Sequence, residues 1–524
     1  MSVGATAGDP DFRPIGALIA DHARAHARAR PDQPALVMGD ERLSWAALDA
    51  LMDRVAASLQ RDGLRPGDAL VLAGGMSPRL MAVFLGALRA GVVVAPLACS
   101  VTPAVFAAMR RDADPKRLFV DAQAEPLLAA EDQAACIALD GEAPGTPFER
   151  WLLPEGARPT PVAIRPEDPF NIIYSSGTTG TPKGIVQPHG MRWLHIQRGA
   201  RYGYGPDTVT LLSTPLYSNT TLVVAFPTLA FGGTVNLQPK FDAGAWLAIA
   251  ERERVTHAML VPVPVQVRRL LGHPDFDRRD LSAFQVKFCT SAPFAAEVKA
   301  EVLRRWPGGL VEFYGMTEGG GTCILDAHLH PDKLHTVGRP AEGHDIRLID
   351  EAGVELPPER CLTEGGEVVG RSGAMMAGYH GRPELTREAE WFSPEGLRFI
   401  RTGDIGRFDA DGFLTLFDRR KDMIISGGFN LYPSDLEAEL RRHPAVVEAA
   451  VVGVPSAEWG ETPVAFVERR AGDPTTGAEL RDWLNARVGK TQRLSELRFV
   501  DELPRSAIGK LLKRELRERW TGQS

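Results

Sequence analysis

Apolar and polar positions change period repeatedly along the first third of the chain, and the changes predict alternating helices and strands. Helix-period spacing over Trp45 to Gln60 gives way to a short apolar run at Ala69 to Leu72. Helical spacing returns over Arg79 to Arg89, followed by Val92 to Ala95 as a strand. Gly63 and Gly91 fall where helix C-caps are expected. This βαβ punctuation predicts a parallel sheet covered by helices, and it recurs at Val209 to Ser213, Trp246 to Arg252 and Met259 to Val263. His22 and His26 lie four apart in Asp21 to Arg30, which reads as a surface helix. No fixed-period repeat and no low-complexity tract interrupts the pattern.

From about His344 the texture shifts to short alternating strands. Asp350-Glu351-Ala352-Gly353 and Asp409-Ala410-Asp411-Gly412 are the turn signals. After Asp422 a compact α+β pattern follows, with Pro433 at a helix N1 position and Asp435, Glu437 and Glu439 leading into Arg441 and Arg442, the order that the helix dipole favours. The expected fold is α/β: a large N-terminal domain of parallel-rich sheets with helices, carrying a small β-rich subdomain at about 344–420, and a small mobile α+β domain over 421–524.

At 524 residues the chain exceeds what one core serves, which supports at least two domains. A net charge of −7 gives no electrostatic case for nucleic acid or anionic lipid, so anion binding has to be local. Cys99, Cys136, Cys289, Cys323 and Cys361 are scattered without a C-x-x-C pair, which argues for a reducing compartment and against a zinc site. No apolar stretch is long enough to span a bilayer, and residues 1–11 carry two acids and no signal-type core. A cytoplasmic protein without stable membrane insertion is expected, and a homodimer is compatible with this composition.

The candidate chemistry is concentrated in Tyr174-Ser175-Ser176-Gly177-Thr178-Thr179-Gly180-Thr181-Pro182-Lys183-Gly184, which holds five Ser/Thr hydroxyls, three glycines and one lysine. Glycines let backbone N–H groups approach an anion, and the hydroxyls and lysine add donors and charge. Ile172 and Ile173 read as a buried strand feeding this loop. A P-loop of the G-x-x-x-x-G-K-[ST] type does not fit, because Lys183 is followed by Gly184 and the β-prone Ile185-Val186. A second near miss, Gly489-Lys490-Thr491, has Leu484 where the first glycine belongs.

Further segments follow in order: Tyr314-Gly315-Met316-Thr317-Glu318, Arg401-Thr402-Gly403-Asp404, Asp418-Arg419-Arg420-Lys421-Asp422 leading to Ser426-Gly427-Gly428, and Pro504-Arg505-Ser506-Ala507-Ile508-Gly509-Lys510. With the loop, these motifs resemble the adenylate-forming superfamily of acyl-CoA synthetases, adenylation domains of peptide synthetases and firefly luciferases. The likeness runs from about residue 15 onward and is nearest the 4-coumarate-, 4-chlorobenzoate- and medium-chain acyl-CoA ligases. It implies ATP, Mg2+, coenzyme A and a carboxylic acid as the partners, with acyl-AMP formed first and the thioester second.

The resemblance places Thr178, Thr179 and Lys183 on the β/γ-phosphates, Tyr314 and Gly315 with Ser291-Ala292-Pro293 at adenine, Thr317 on the α-phosphate and Glu318 on Mg2+. Ser291 stands where the family usually has glycine. Asp404 and Arg419 are implied at the ribose, and Lys510 as the adenylation catalyst beside Thr317 and Lys183. Lys421 is the implied hinge that swings Lys510 out and brings Gly427 and Gly428 to the CoA tunnel. Arg89 is a weaker candidate for the CoA nucleotide, set against a plain surface arginine.

By motif position the acyl pocket includes His195, Ser218, Asn219, Val261, Gly315, Gly319, Gly320 and Gly321. The family's usual histidine is missing from Pro215-Leu216-Tyr217-Ser218. Three consecutive glycines suggest an open, largely apolar site for an aromatic, alicyclic or medium-chain acid. A stand-alone enzyme that loads a carrier-protein phosphopantetheine and a non-catalytic nucleotide-binding relative share these motifs; luciferase chemistry has nothing to recommend it.

Overall fold

The computed structural model describes residues 15–175, 182–260, 266–419, 422, 424–426, 429–431, 433–456, 460–489, 492–505 and 511–521. They divide into two compact units, Met1–Ile346 with Gly370–Ile400 and Arg347–Val369 with Arg401–Ser524. The β-rich stretch expected at about 344–420 is thus shared between them.

The first unit is built on two sheets. One runs, edge to edge, Arg339–Pro340, Cys323–Asp326, Gly309–Tyr314, Val286–Cys289, His257–Leu260, Val209–Leu212, Thr234–Leu237, Pro34–Met38 and Glu41–Ser44. Its central pairings, from Gly309–Tyr314 to Pro34–Met38, are parallel. The other sheet runs Gly378–Tyr379, Lys183–Pro188, Pro169–Ser175, Val93–Leu97, Ala69–Ala73, Arg117–Val120, Ile137–Ala138 and Thr146–Pro147, and is parallel from Pro169–Ser175 onward.

Helices Trp45–Arg61 and Pro78–Arg89 fall where the apolar period places them, with Ser44 and Ser77 accepting at their N-termini from Ala47 and Leu80. Gly63 and Gly91 have φ of 86° and 71°, the left-handed geometry of a helix C-terminus. Leu48, Met52, Val55, Leu59, Leu80, Phe84 and Leu88 from these two helices join one buried core. The helix Ile15–Ala29 is more than a surface helix: Ala23 is buried, the His26 ring lies 4.8 Å from Trp45, and His26 Nε2 contacts the Ala230 carbonyl at 3.1 Å.

In the second unit, Phe429–Leu431, Ile424–Ser426, Gly460–Arg469 and Val446–Ser456 form an antiparallel run, with Glu496–Val500 parallel to Gly460–Arg469. The helices Pro433–Leu440, Gly477–Asn485 and Lys513–Thr521 complete the expected α+β pattern. Asp409 and Gly412 make the expected turn, with Phe413 N–H donating to Asp409 Oδ1 at 2.9 Å.

Candidate active site

Two antiparallel strands carry the glycine-rich loop at their tip. Pro169–Ser175 pairs with Lys183–Pro188 through Ile173↔Ile185, Tyr174↔Gly184 and Ser175↔Lys183. Lys183 therefore begins a strand and not a helix, the distinction that Ile185-Val186 indicates. Thr178 and Thr179 lie outside the described residues.

The root of this hairpin is tied down by side chains. Tyr174 Oη donates to Asp112 Oδ2 at 2.8 Å, and Arg382 Nη2 donates to Asp112 Oδ1 at 3.2 Å. His380 N–H donates to the Gly184 carbonyl at 2.7 Å. Burial first, and Asp112 second, push the Tyr174 phenol well above its ordinary pKa, so it remains a donor.

Gly378–Tyr379 adds to the outer edge of the hairpin through Gly378↔Val186 and Tyr379↔Ile185. Tyr379 meets two motif residues at once. Its ring centroid lies 5.1 Å from Lys183 Nζ, and its hydroxyl donates to Glu318 Oε1 at 2.9 Å. Burial and then Glu318 raise its pKa, which keeps the proton on the phenol. Lys183 and Glu318, expected at the phosphates and the metal, are thereby brought together through a residue that motif reading missed. The signal was available in part: an aromatic residue in a short strand directly beyond a glycine.

Strand Gly309–Tyr314 delivers Tyr314, and the turn after it presents Gly315, Thr317 and Glu318. Gln187 Nε2 donates to the Thr317 carbonyl at 2.6 Å, which fixes this turn to the hairpin. Met376 N–H donates to the Glu318 carbonyl at 2.8 Å, and Gly320 N–H to the Ala374 carbonyl at 3.0 Å. Glu318 Oε2 makes no hydrogen bond among the described residues, and no group of three metal-ligating side chains occurs among them. A carboxylate with one oxygen free of hydrogen bonds among the described residues fits Mg2+, a hard cation that takes oxygen ligands, and Glu318 would hold it.

The three glycines after Glu318 are closely packed on the side that a Cβ would occupy. Gly319 and Gly320 have φ of 75° and 88°, and a Cβ on Gly319 would sit 2.0 Å from the Ala374 carbonyl oxygen. A Cβ on Gly321 would meet Ile346 Cδ1 at 1.8 Å. At Gly319 and Gly320 a neighbouring carbonyl oxygen, and at Gly321 the Ile346 side chain, takes the space of a Cβ.

Of the expected acyl-pocket residues, His195 and Asn219 sit against a buried cation that the sequence reading did not single out. Arg192, on helix His189–Gly199, is fully buried. Its Nη1 donates to Asn219 Oδ1 at 2.7 Å and lies 3.4 Å from His195 Nδ1, while Nη2 donates to Gln187 Oε1. All these partners are neutral, and burial draws the Arg192 pKa down to about 9. Ser218 Oγ shares a 2.6 Å hydrogen bond with Thr220 Oγ1. Val261 lies outside the described residues.

Ser291 has φ of 78°, the left-handed region. Its replacement of the family's glycine therefore leaves a backbone that glycine adopts without strain. Ala292 is half-buried and Pro293 exposed. Arg89 is neither a nucleotide contact nor a surface group. It is buried, with Nη2 on Asp49 Oδ1 at 2.6 Å and Nη1 on Asp53 Oδ1 at 2.7 Å. Two surface clefts, of about 390 Å3 beside His273 and about 280 Å3 beside Arg28, contain none of the motif residues.

In the second unit, Asp404 is 9% exposed and pairs across the strands with Arg419. Asp404 N–H donates to Thr402 Oγ1 at 3.0 Å. The register makes them cross-strand neighbours. Lys421, Gly427, Gly428 and Lys510 lie outside the described residues.

Comparison with known proteins agrees with this geometry. Residues 23–380 match the family model described as AMP-binding enzyme, and residues 435–510 match AMP-binding enzyme C-terminal domain. The chain is 34% identical to a feruloyl-CoA synthase of Amycolatopsis sp, over 94% of this chain and 97% of the relative. It is 31% identical to an indoleacetate–CoA ligase of Aromatoleum aromaticum, over 94% and 96%. The structure of ATP-bound MatB from Rhodopseudomonas palustris superposes with a TM-score of 0.83 at 30% identity, covering 95% of this chain and 99% of that one.

Proposed function

The chain belongs to the AMP-binding enzyme family, and from that premise we propose that this ATP-dependent, AMP-forming acyl-CoA ligase acts on an aromatic acid. A carboxylate oxygen attacks the α-phosphorus of ATP and pyrophosphate leaves, giving acyl-AMP. The CoA thiol then attacks the acyl carbon and AMP leaves with the bridging oxygen. Negative charge grows on the α-phosphoryl oxygens in the first step, so fixed donors and a cation there lower the barrier.

Lys183, with Thr178 and Thr179, holds the β- and γ-phosphates, and Tyr379 fixes the height of the Lys183 ammonium. Thr317 donates to the α-phosphate, and Gln187 holds the Thr317 backbone in place. Tyr314, Gly315 and the Ser291–Pro293 segment bracket adenine, and Asp404 and Arg419 take the ribose hydroxyls. Glu318 keeps one carboxylate oxygen for Mg2+, which when bound neutralises phosphate charge. Lys510 reaches the α-phosphate for adenylation; rotation about Lys421, at the boundary between 1–420 and 421–524, exchanges it for Gly427 and Gly428 at a CoA passage. Net charge and unpaired cysteines suit the cytoplasm.

The observation that carries this reading is the Lys183–Tyr379–Glu318 contact, because it joins a phosphate loop to a metal carboxylate. Aromatic acids are favoured by the likeness to a feruloyl-CoA synthase and an indoleacetate–CoA ligase. Pyrophosphate release over short, medium, aromatic and alicyclic acids, with mass detection of the thioester, tests it. Aromatic acids released fastest with a CoA product support the proposal. Release with no CoA thioester, but loading of a phosphopantetheinyl carrier, overturns the CoA assignment.

A further inference from the structure

One turn beyond His195 on the same helix stands Arg198, half-buried, with its guanidinium carbon 4.6 Å from the centroid of Phe313. Phe313 lies on the strand that ends at Tyr314, and His195, one turn earlier on the Arg198 helix, is one of the residues expected around the acyl group. Among the described residues the guanidinium makes no hydrogen bond and no ion pair, and no carboxylate acts on it. Burial lowers its pKa, opposed only by the phenols of Tyr202 and Tyr204. A half-buried cation with no counter-ion is left partly uncompensated until an anion reaches it.

Two histidines share its surroundings, and both are neutral at physiological pH. Burial first, then Arg198 and Arg192, holds His195 well below the ordinary histidine range, and burial followed by Arg198 brings His344 down to about 4. Their tautomers follow from their partners. His344 Nδ1 accepts from Thr322 N–H at 2.9 Å, and His195 Nδ1 faces the Arg192 Nη1 donor at 3.4 Å. Each ring therefore carries its proton on Nε2, where no hydrogen bond is made among the described residues. Arg198, His195 and His344 thus present donors and no acceptor.

We propose that Arg198, with His195 and His344, is the specificity-determining receptor for a second anionic group, a carboxylate or sulfonate, on the acid that this enzyme activates. The inference rests on the ligase reading and deepens it. A guanidinium presents paired N–H donors that match two oxygens of one anion, and the Nε2–H groups of the two histidines add donors in the same region. A neutral acid leaves the cation uncompensated.

The test compares kcat/KM for pyrophosphate release in matched pairs: benzoate with 4-carboxybenzoate, cinnamate with 4-carboxycinnamate, hexanoate with adipate, and 4-hydroxycinnamate as a neutral polar control. The expected result is a preference of about tenfold or more for the doubly acidic member in at least one pair. In Arg198→Gln the ratio collapses toward one while the KM for ATP is kept, and Arg198→Lys restores part of it. A wild-type preference for the singly acidic member in every pair, or a ratio unchanged in Arg198→Gln, overturns the receptor while leaving the ligase reading intact. Absence of pyrophosphate release with every acid overturns both. If Arg198→Gln does not fold, the ratio in Arg198→Lys and in His344→Phe decides: unchanged ratios in both contradict the proposal.

Discussion

Tyr379 donates its hydroxyl to Glu318 Oε1 at 2.9 Å while its ring lies under Lys183 Nζ at 5.1 Å. One side chain thus contacts both Lys183, proposed at the phosphates, and the carboxylate proposed to bind the metal. Groups that hold a metal ligand typically affect metal affinity by about 10–100-fold. In Tyr379→Phe the ring is kept and the donor lost. The expected outcome is a rise of roughly tenfold in the Mg2+ concentration that half-saturates pyrophosphate release, with melting temperature near wild type. An unchanged Mg2+ titration contradicts the positioning role.

Gly319 and Gly315 separate packing from chemistry. A Cβ on Gly319 meets the Ala374 carbonyl oxygen at 2.0 Å at a φ of 75°, whereas one on Gly315 meets nothing nearer than Thr322 Oγ1 at 3.4 Å. Gly319→Ala is expected to destabilise the protein by about 2 kcal/mol or more. Gly315→Ala is expected to leave unfolding unchanged and to alter only the kinetics. Equal denaturation midpoints for the two variants contradict the packing account.

The strands on either side of the glycine-rich segment were legible because local chemistry dictates them: apolar Ile172-Ile173 and Ile185-Val186 suit a buried hairpin. What escaped depends on contacts distant in sequence. Tyr379 becomes informative only when its strand pairs beside Lys183, and Arg89 looks like a surface charge until Asp49 and Asp53 enclose it. The glycines after Glu318 show the converse. Their number was plain, but whether they open space or admit a neighbouring backbone is decided by the chain at Ala374. Arg192 and Arg198 were hidden because their surroundings are neutral, so no charge pattern in the sequence marks them.

Buried histidines give stability an acid limb. His189 and His257 are drawn from the ordinary 6.5 to about 4, in each case by burial above all. The unfolded chain then binds protons that the folded chain refuses between these values. Stability is therefore full above about pH 6.5 and falls as pH drops toward 4. Denaturant midpoints measured from pH 7.5 to pH 4.5 are expected to decline, and to decline less steeply in His189→Gln. A flat profile, or an identical slope in the variant, contradicts this assignment.

Lys510 is proposed for the first half-reaction alone. Lys510→Ala is expected to lower acyl-AMP formation by about 100-fold or more, yet to convert supplied acyl-AMP and CoA to thioester near the wild-type rate. Equal loss in both half-reactions contradicts a lysine that withdraws when Lys421 turns.

The central claim is that a carboxylate oxygen becomes bonded to the α-phosphorus of ATP before any thiol arrives. The direct measurement uses an acid substrate labelled with 18O in both carboxylate oxygens, followed by mass analysis of the nucleotide after thioester formation. The account predicts AMP carrying one 18O and unlabelled pyrophosphate. Unlabelled AMP, or ADP with the label in orthophosphate, contradicts it.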